Sequence, residues 1–141
     1  MNIVVVCSGN TCRSPMAAGL LKAIATSKQI EIDVRSAGLA HHPGRGPARS
    51  AIAVMSELGL DISGDYSKPL ASEDVIWADV IITVQRNHAA HLAEEFPQIS
   101  SKIKCLGSDI PDPYNGSLTQ YRETRDLLRV LLSKFIESLR P

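Results

Sequence analysis

The chain has 141 residues and a mass of 15.3 kDa, the size of one compact domain covering 1–141. Hydrophobic residues at 44% and charged residues at 21% exclude disordered, collagen-like and coiled-coil compositions. Lys and Arg number 15 and Asp and Glu number 15, so the net charge is zero, no global field recruits nucleic acid or an anionic membrane, and charge recognition must be local. The longest apolar run, Ile3 to Cys7, falls far short of the roughly 20 residues of a membrane span, and no basic segment precedes it. The expectation is a cytoplasmic protein. Cys7, Cys12 and Cys105 follow no zinc-ligand spacing, which in a reducing compartment points to thiol chemistry rather than a disulfide framework or a metal.

Ile3-Val4-Val5-Val6 is a β-branched run closed by Ser8-Gly9-Asn10, which predicts a strand buried on both faces and then a turn. After it Ser14 is placed to cap a helix with Pro15 at the first helical position, and Met16, Leu20, Leu21 and Ile24 recur at helical spacing. Glu31 to Ser36 alternates Ile32 and Val34 with polar residues and ends at Ala37-Gly38, a second strand with one more exposed face. His41 to Pro47, with two prolines and two glycines, reads as a surface loop. Ala48 to Leu58 carries Ile52, Met55 and Leu58 on one face and meets Gly59, a helix with a glycine cap. Ser72-Glu73-Asp74 predicts the capped start of a short helix. Val80 to Val84 is a third buried strand, Asn87 to Phe96 a helix stopped by Pro97, and Ile103 to Leu106 a fourth strand. Asp109 to Gly116 is a proline-rich loop, and Leu118 to Leu139 a long amphipathic helix with Tyr121, Leu128, Leu131, Leu132, Phe135 and Ile136 as its stripe. Strands alternating with helices predict a right-handed, mostly parallel α/β sheet that binds ligands at the carboxyl ends of its strands. His88 and His91 read as exposed polar residues rather than a metal pair, Trp77 as a core residue, and Arg122 and Arg125 as part of a solvated helix face.

Cys7-Ser8-Gly9-Asn10-Thr11-Cys12-Arg13-Ser14 carries the chemistry: a cysteine ends the first strand and an arginine follows six residues later at a helix start. A loop of that length turns its amides toward one point at the positive end of the helix, a pocket for a tetrahedral oxyanion that Arg13 closes with its two-pronged guanidinium. Cys7 at the floor is then expected as a thiolate, with Ser14 donating to the sulfur and Gly9 and Asn10 supplying positive φ. The bland alternative, an inert buried strand-end cysteine, does not account for glycine-bearing loop, arginine and helix start arriving together. A thiolate attacking phosphorus needs a proton donor for the leaving group, and Asp112, fixed between Pro111 and Pro113, is the candidate; alone it would read as a turn aspartate.

Cys7 to Pro15, Ser36-Ala37-Gly38 and Asp112-Pro113-Tyr114, in this order and spacing, make the chain resemble the low-molecular-weight protein tyrosine phosphatases over nearly its whole length. The resemblance implies a single-domain three-layer sandwich, with a four-stranded parallel twisted sheet flanked by helices and a phosphate-binding loop after the first strand. It implies Cys7 as nucleophile through a phosphocysteine, Arg13 as phosphate holder, and Asp112 as acid and then base. By the same resemblance Ser8, Gly9, Asn10, Thr11, Cys12 and Ser14 form the binding loop, Ser36 supports it through Asn10, and Tyr114 walls the cleft. Cys12 matches a cysteine that can form a reversible disulfide with Cys7. The implied partners are phosphorylated proteins and a phosphate or other oxyanion in the loop, with no cofactor, nucleic acid or membrane, for a monomer or weak dimer.

Thr11, where many tyrosine-specific relatives carry isoleucine or leucine, departs from that pattern, as do His41 and His42 in place of an aromatic and Asn115-Gly116 after Tyr114. Thr11 to Ala17, with Tyr121 and Thr124-Arg125-Asp126, is similar to the bacterial protein arginine phosphatase branch, in which threonine favours a planar, polar guanidinium. Phosphoarginine thus stands nearly level with the family default, phosphotyrosine. The alternative chemistry on this fold is arsenate reduction, although the downstream cysteine pair it uses is missing here. A non-catalytic phosphoprotein-binding module is disfavoured by the intact Cys7, Arg13 and Asp112.

Overall fold

Strand β1 (Asn2–Cys7) sends alternate side chains to opposite faces, Ile3, Val5 and Cys7 into one apolar cluster and Val4 and Val6 into another. The computed structural model describes residues 1–39, 44–107 and 109–139. Strands β2 (Asp33–Gly38) and β3 (Val80–Thr83) pair with β1 in parallel on either side, and β4 (Ile103–Cys105) pairs with β3, giving the order β2-β1-β3-β4. Helices α1 (Arg13–Ser27) and α2 (Arg49–Ser56) and the last helix, Leu118–Ser138, cover the Ile3 face with Met16, Leu20, Met55, Leu128 and Leu132. Helices α3 (Ser72–Trp77) and α4 (Arg86–Glu95) and a 3-10 turn at Pro97–Lys102 cover the other with Val75, Leu92 and Ile99, and the last helix is α5. This is the expected three-layer α/β sandwich. Because β2 and β3 flank β1, the switch point of the topology falls at the carboxyl end of β1, where Cys7 sits.

Several local expectations are corrected. The second strand begins at Asp33 and runs on to Gly38, whose pairing with Cys7 carries it under the loop that follows β1. A Cβ on Gly38 would lie 2.9 Å from the Ser8 carbonyl oxygen and 3.1 Å from Asn10 Cβ, so the close approach requires glycine. Ser14 does not cap α1; it lies within the first turn, with its hydroxyl turned to Cys7 and Asn10. Ser72 is likewise inside α3, and the cap is made by Asp74, whose Oδ2 accepts from the Ala71 amide at 3.0 Å. Pro97 stops α4 as expected and also opens the 3-10 turn.

Arg125 is buried rather than solvated. It donates to the Val54 carbonyl at 2.9 Å and the Glu57 carboxylate at 2.7 Å, clamping α5 to the end of α2, while Arg122 forks onto the same carboxylate from the surface. These two arginines hold the Glu57 carboxyl well below its usual range, at about 2. Trp77 is half-buried against the second cluster, with the Arg35 guanidinium 3.9 Å from its ring centroid. His41 and His42 lie outside the described residues.

Candidate active site

The chain leaves β1 at Cys7 and enters α1 at Arg13, and the five residues between wrap around the sulfur. Asn10 carries the left-handed turn at φ 56°, a conformation asparagine tolerates; Gly9, expected to share it, does not have a positive φ. The Asn10 amide donates to Cys7 Sγ at 3.2 Å. Asn10 Nδ2 donates to Ser14 Oγ at 2.7 Å and to Ser36 Oγ at 3.0 Å, while its Oδ1 accepts from the Lys68 amide at 3.0 Å. Since Ser14 Oγ accepts from Asn10, its own hydrogen is left for Cys7 Sγ, 2.9 Å away. The sulfur is therefore met by two donors, from the loop amide and from the serine, as the residue pattern implied. The Thr11 carbonyl accepts from the Ala48 amide at 2.9 Å, which ties the rim of the loop to the start of α2.

Arg13 is 2% exposed, and its Nη1 donates to the Ile110 carbonyl at 2.8 Å, which orients the guanidinium toward the loop. Its Nη2 lies 3.5 Å from Asp112 Oδ2; Asp112 is 47% exposed and its Oδ1 accepts from the Tyr114 amide at 3.1 Å. Asp112 thus makes the turn contact of an aspartate before proline and also lies beside the Arg13 guanidinium at the loop. Together these elements bound a cavity of about 210 Å³ lined by Cys7, Ser8, Gly9, Thr11, Cys12, Arg13, Asp112 and Tyr114, all expected, and by Arg45, which was not. Asn10, Ser14 and Ser36 stand behind the wall and hold its shape.

Cys12 is buried beside Cys7, neither of them in a disulfide, with Cys12 Sγ 3.3 Å from the Tyr121 hydroxyl and 3.8 Å from Thr11 Oγ1. Burial pushes the Cys12 thiol up, and burial followed by the bond to Cys12 raises Tyr121 as well. A neutral, hydrogen-bonded thiol thus lies against the loop, held by α5.

Two site residues escaped the sequence reading. Arg45 reaches the cavity from a segment with no regular structure, but its main chain is pinned: its amide donates to Ser67 Oγ at 3.0 Å and its carbonyl accepts from the Ser67 amide at 2.6 Å. His88, expected to be exposed, is 4% exposed, with Nε2 2.9 Å from Ser8 Oγ. Its signal was its place four residues before Leu92, on the buried side of α4. His91 points away and pairs with Glu95 at 3.1 Å, so the two histidines do not converge; among the described residues no three His, Cys, Asp or Glu gather as metal ligands. Among the same residues no helix is long and apolar enough to cross a membrane.

A family model described as low molecular weight phosphotyrosine protein phosphatase matches residues 2–141. The protein-arginine-phosphatase of Bacillus subtilis (strain 168) is 35% identical over 147 residues, covering 99% of this chain and 97% of its own length. The low molecular weight protein-tyrosine-phosphatase Wzb of Escherichia coli (strain K12) is 35% identical over 138 residues, covering 94% and 88%. Among solved structures, a mutant of YwlE arginine phosphatase with a phosphorylated active-site serine superposes with a TM-score of 0.94 at 33% identity, covering 99% of this chain and 95% of that one. These relatives lend arsenate reduction no support.

Proposed function

The chain belongs to the low molecular weight phosphotyrosine protein phosphatase family and is a protein phosphatase of the hydrolase class, and we propose that its substrate is phosphoarginine in proteins. The observation that carries this is Thr11 on the cavity wall, a small polar side chain where an apolar one would favour a phenyl ring, with Tyr114 the one aromatic among the described lining residues. The relative named a protein-arginine-phosphatase supports the same choice. Tyr114 gives a specific ground for the second reading, phosphotyrosine, since its exposed ring offers one stacking face.

The chemistry runs in two displacements. Cys7 Sγ attacks phosphorus in line; the S–P bond forms as the P–N bond to the guanidinium breaks, or the P–O bond for tyrosine. Asp112 gives its proton to the departing nitrogen or oxygen. Arg13 and the loop amides hold the phosphoryl oxygens through the transition state, where their charge is most concentrated on the site. Water then attacks the phosphocysteine, surrendering a proton to the Asp112 carboxylate, and the S–P bond breaks to release phosphate and the thiolate. Such thiol chemistry suits a cytoplasmic setting, a phosphorylated protein as partner, and a monomer or weak dimer as the working form.

The test is kcat/KM of the reduced protein on matched phosphoarginine and phosphotyrosine peptides, alongside Thr11→Ile. The expected result is a preference for phosphoarginine that the variant reverses. A phosphotyrosine preference unchanged by the variant establishes the second reading instead, and activity on neither peptide removes the protein-phosphatase assignment of substrate altogether.

A further inference from the structure

His88 takes no part in the two displacements, yet it is buried at the back of the active-site loop, 80 residues from the serine it touches. Burial first, and then the Arg13 guanidinium, pushes the imidazole down to about 4; Asp109 and Asp112 pull the other way and His91 adds slightly to the lowering. The ring is therefore neutral at working pH and carries one N–H. Its Nδ1 is buried and has no hydrogen-bond partner among the described residues. If that nitrogen held the proton, a donor would be orphaned in the interior, which folded proteins avoid more strictly than an under-used acceptor. The tautomer that satisfies the site places the proton on Nε2, so that His88 donates and Ser8 Oγ accepts.

That polarity leaves the Ser8 hydroxyl hydrogen without an acceptor among the described residues. Among the described residues the hydroxyl has no partner besides His88, and Ser8 lines the cavity with Cys7, Arg13 and Thr11. A bound phosphoryl group offers only acceptors. We propose that Ser8 Oγ–H is a donor to a phosphoryl oxygen of the bound substrate, and that His88 is the positioning residue that fixes this sense of donation. Loop amides account for phosphate binding in any cradle of this shape; the serine adds a side-chain donor to the cavity that Arg13 also lines, and it works only while the imidazole behind it donates. This rests on the reading of the cavity as the phosphoryl site.

The experiment measures kcat and KM on p-nitrophenyl phosphate, and the inhibition constant of inorganic phosphate, for the parent, Ser8→Ala, Ser8→Thr and His88→Gln, together with 15N shifts of the parent's imidazole. Ser8→Ala is expected to weaken phosphate about tenfold to a hundredfold, the factor carried by a hydrogen bond to a charged group. Ser8→Thr, which restores a hydroxyl, is expected to recover phosphate affinity that Ser8→Ala loses, His88→Gln, which keeps an N–H near Nε2, is expected to bind phosphate more tightly than Ser8→Ala does, and the shifts are expected to show Nε2–H. Phosphate inhibition of Ser8→Ala within twofold of the parent, or an Nδ1–H tautomer, overturns the proposal. The tautomer is read on the unaltered protein, so a poorly folding variant does not shield the claim. Absence of phosphate inhibition in the parent would instead break the reading of the cavity itself.

Discussion

Replacing Gly38 by alanine puts a methyl group against the carbonyl side of the active-site loop without touching any ionisable or nucleophilic atom. The added Cβ would lie 2.9 Å from the Ser8 carbonyl oxygen, 3.1 Å from Asn10 Cβ and 3.2 Å from the Asn10 amide nitrogen. Reaching ordinary van der Waals separation requires the loop to move by about 0.5 Å, and the Asn10 amide that donates to Cys7 Sγ moves with it. Overpacking of this kind costs about 1–3 kcal/mol, which for a chain of this size lowers Tm by roughly 3–10 °C. The sharper consequence is catalytic: displacing positioned donors by a fraction of an ångström lowers kcat/KM about tenfold to a hundredfold. The assay is kcat/KM on p-nitrophenyl phosphate well below the transition, with Tm measured beside it. Gly59→Ala is the control, because Gly59 has φ +75° and open space around its Cβ; it is expected to lose roughly 1 kcal/mol of stability and keep full activity. Gly38→Ala with parental kcat/KM would refute the idea that the strand end sets the geometry of the loop.

Other outcomes follow from the same geometry. Cys7→Ser is expected to abolish turnover, Asp112→Ala to lower kcat about 10²–10⁴-fold with little change in phosphate binding, and Arg13→Ala to damage both; steady-state kinetics with phosphate inhibition separates the three. Arg45→Glu is expected to raise KM for an acidic phosphopeptide several-fold more than for a small aryl phosphate, since Arg45 stands at the rim rather than the floor; equal effects would remove it from substrate recognition. The Glu57 carboxyl, lowered to about 2 by Arg122 and Arg125, contributes stability that is complete above pH 4.5 and is lost as pH falls toward 2, and urea titrations of Glu57→Gln should lack that component. His88 has the opposite chemistry and the same direction of loss. From pH 6.5 down to 4 the unfolded chain takes up a proton that the buried ring refuses, removing up to about 3 kcal/mol, and His88→Gln should flatten this segment of the stability profile.

The fold was legible because its signals are strong and local: a β-branched run with alternate faces in β1, helical spacing in α1 and α5, and Pro97 at the end of α4. That Cys7, Arg13 and Asp112 would meet at one cavity was legible because loop length, residue type and neighbouring elements agreed. Polar residues on buried stripes were misread. His88 lies one turn before Leu92, and Arg125 lies one turn after Tyr121 and before Leu128, yet each was assigned to solvent by its chemical type. Spacing was the better guide in both cases. Ser14 and Ser72 were misassigned as caps because a hydroxyl near a helix start has more than one use, and only the tertiary partners, Cys7 and Asn10 for Ser14, decide among them. Arg45 had no local signal, since its placement depends on Ser67 from another segment.

The contact between Cys12 and Tyr121 spans 109 residues of chain, and that between Arg13 and Ile110 spans 97. The loop around Cys7 is thus braced by partners far along the chain rather than by its own neighbours, so its geometry depends on long-range contacts. Docking of α5 brings Tyr121 against Cys12, which ties the wall of the loop to the far end of the chain's fold.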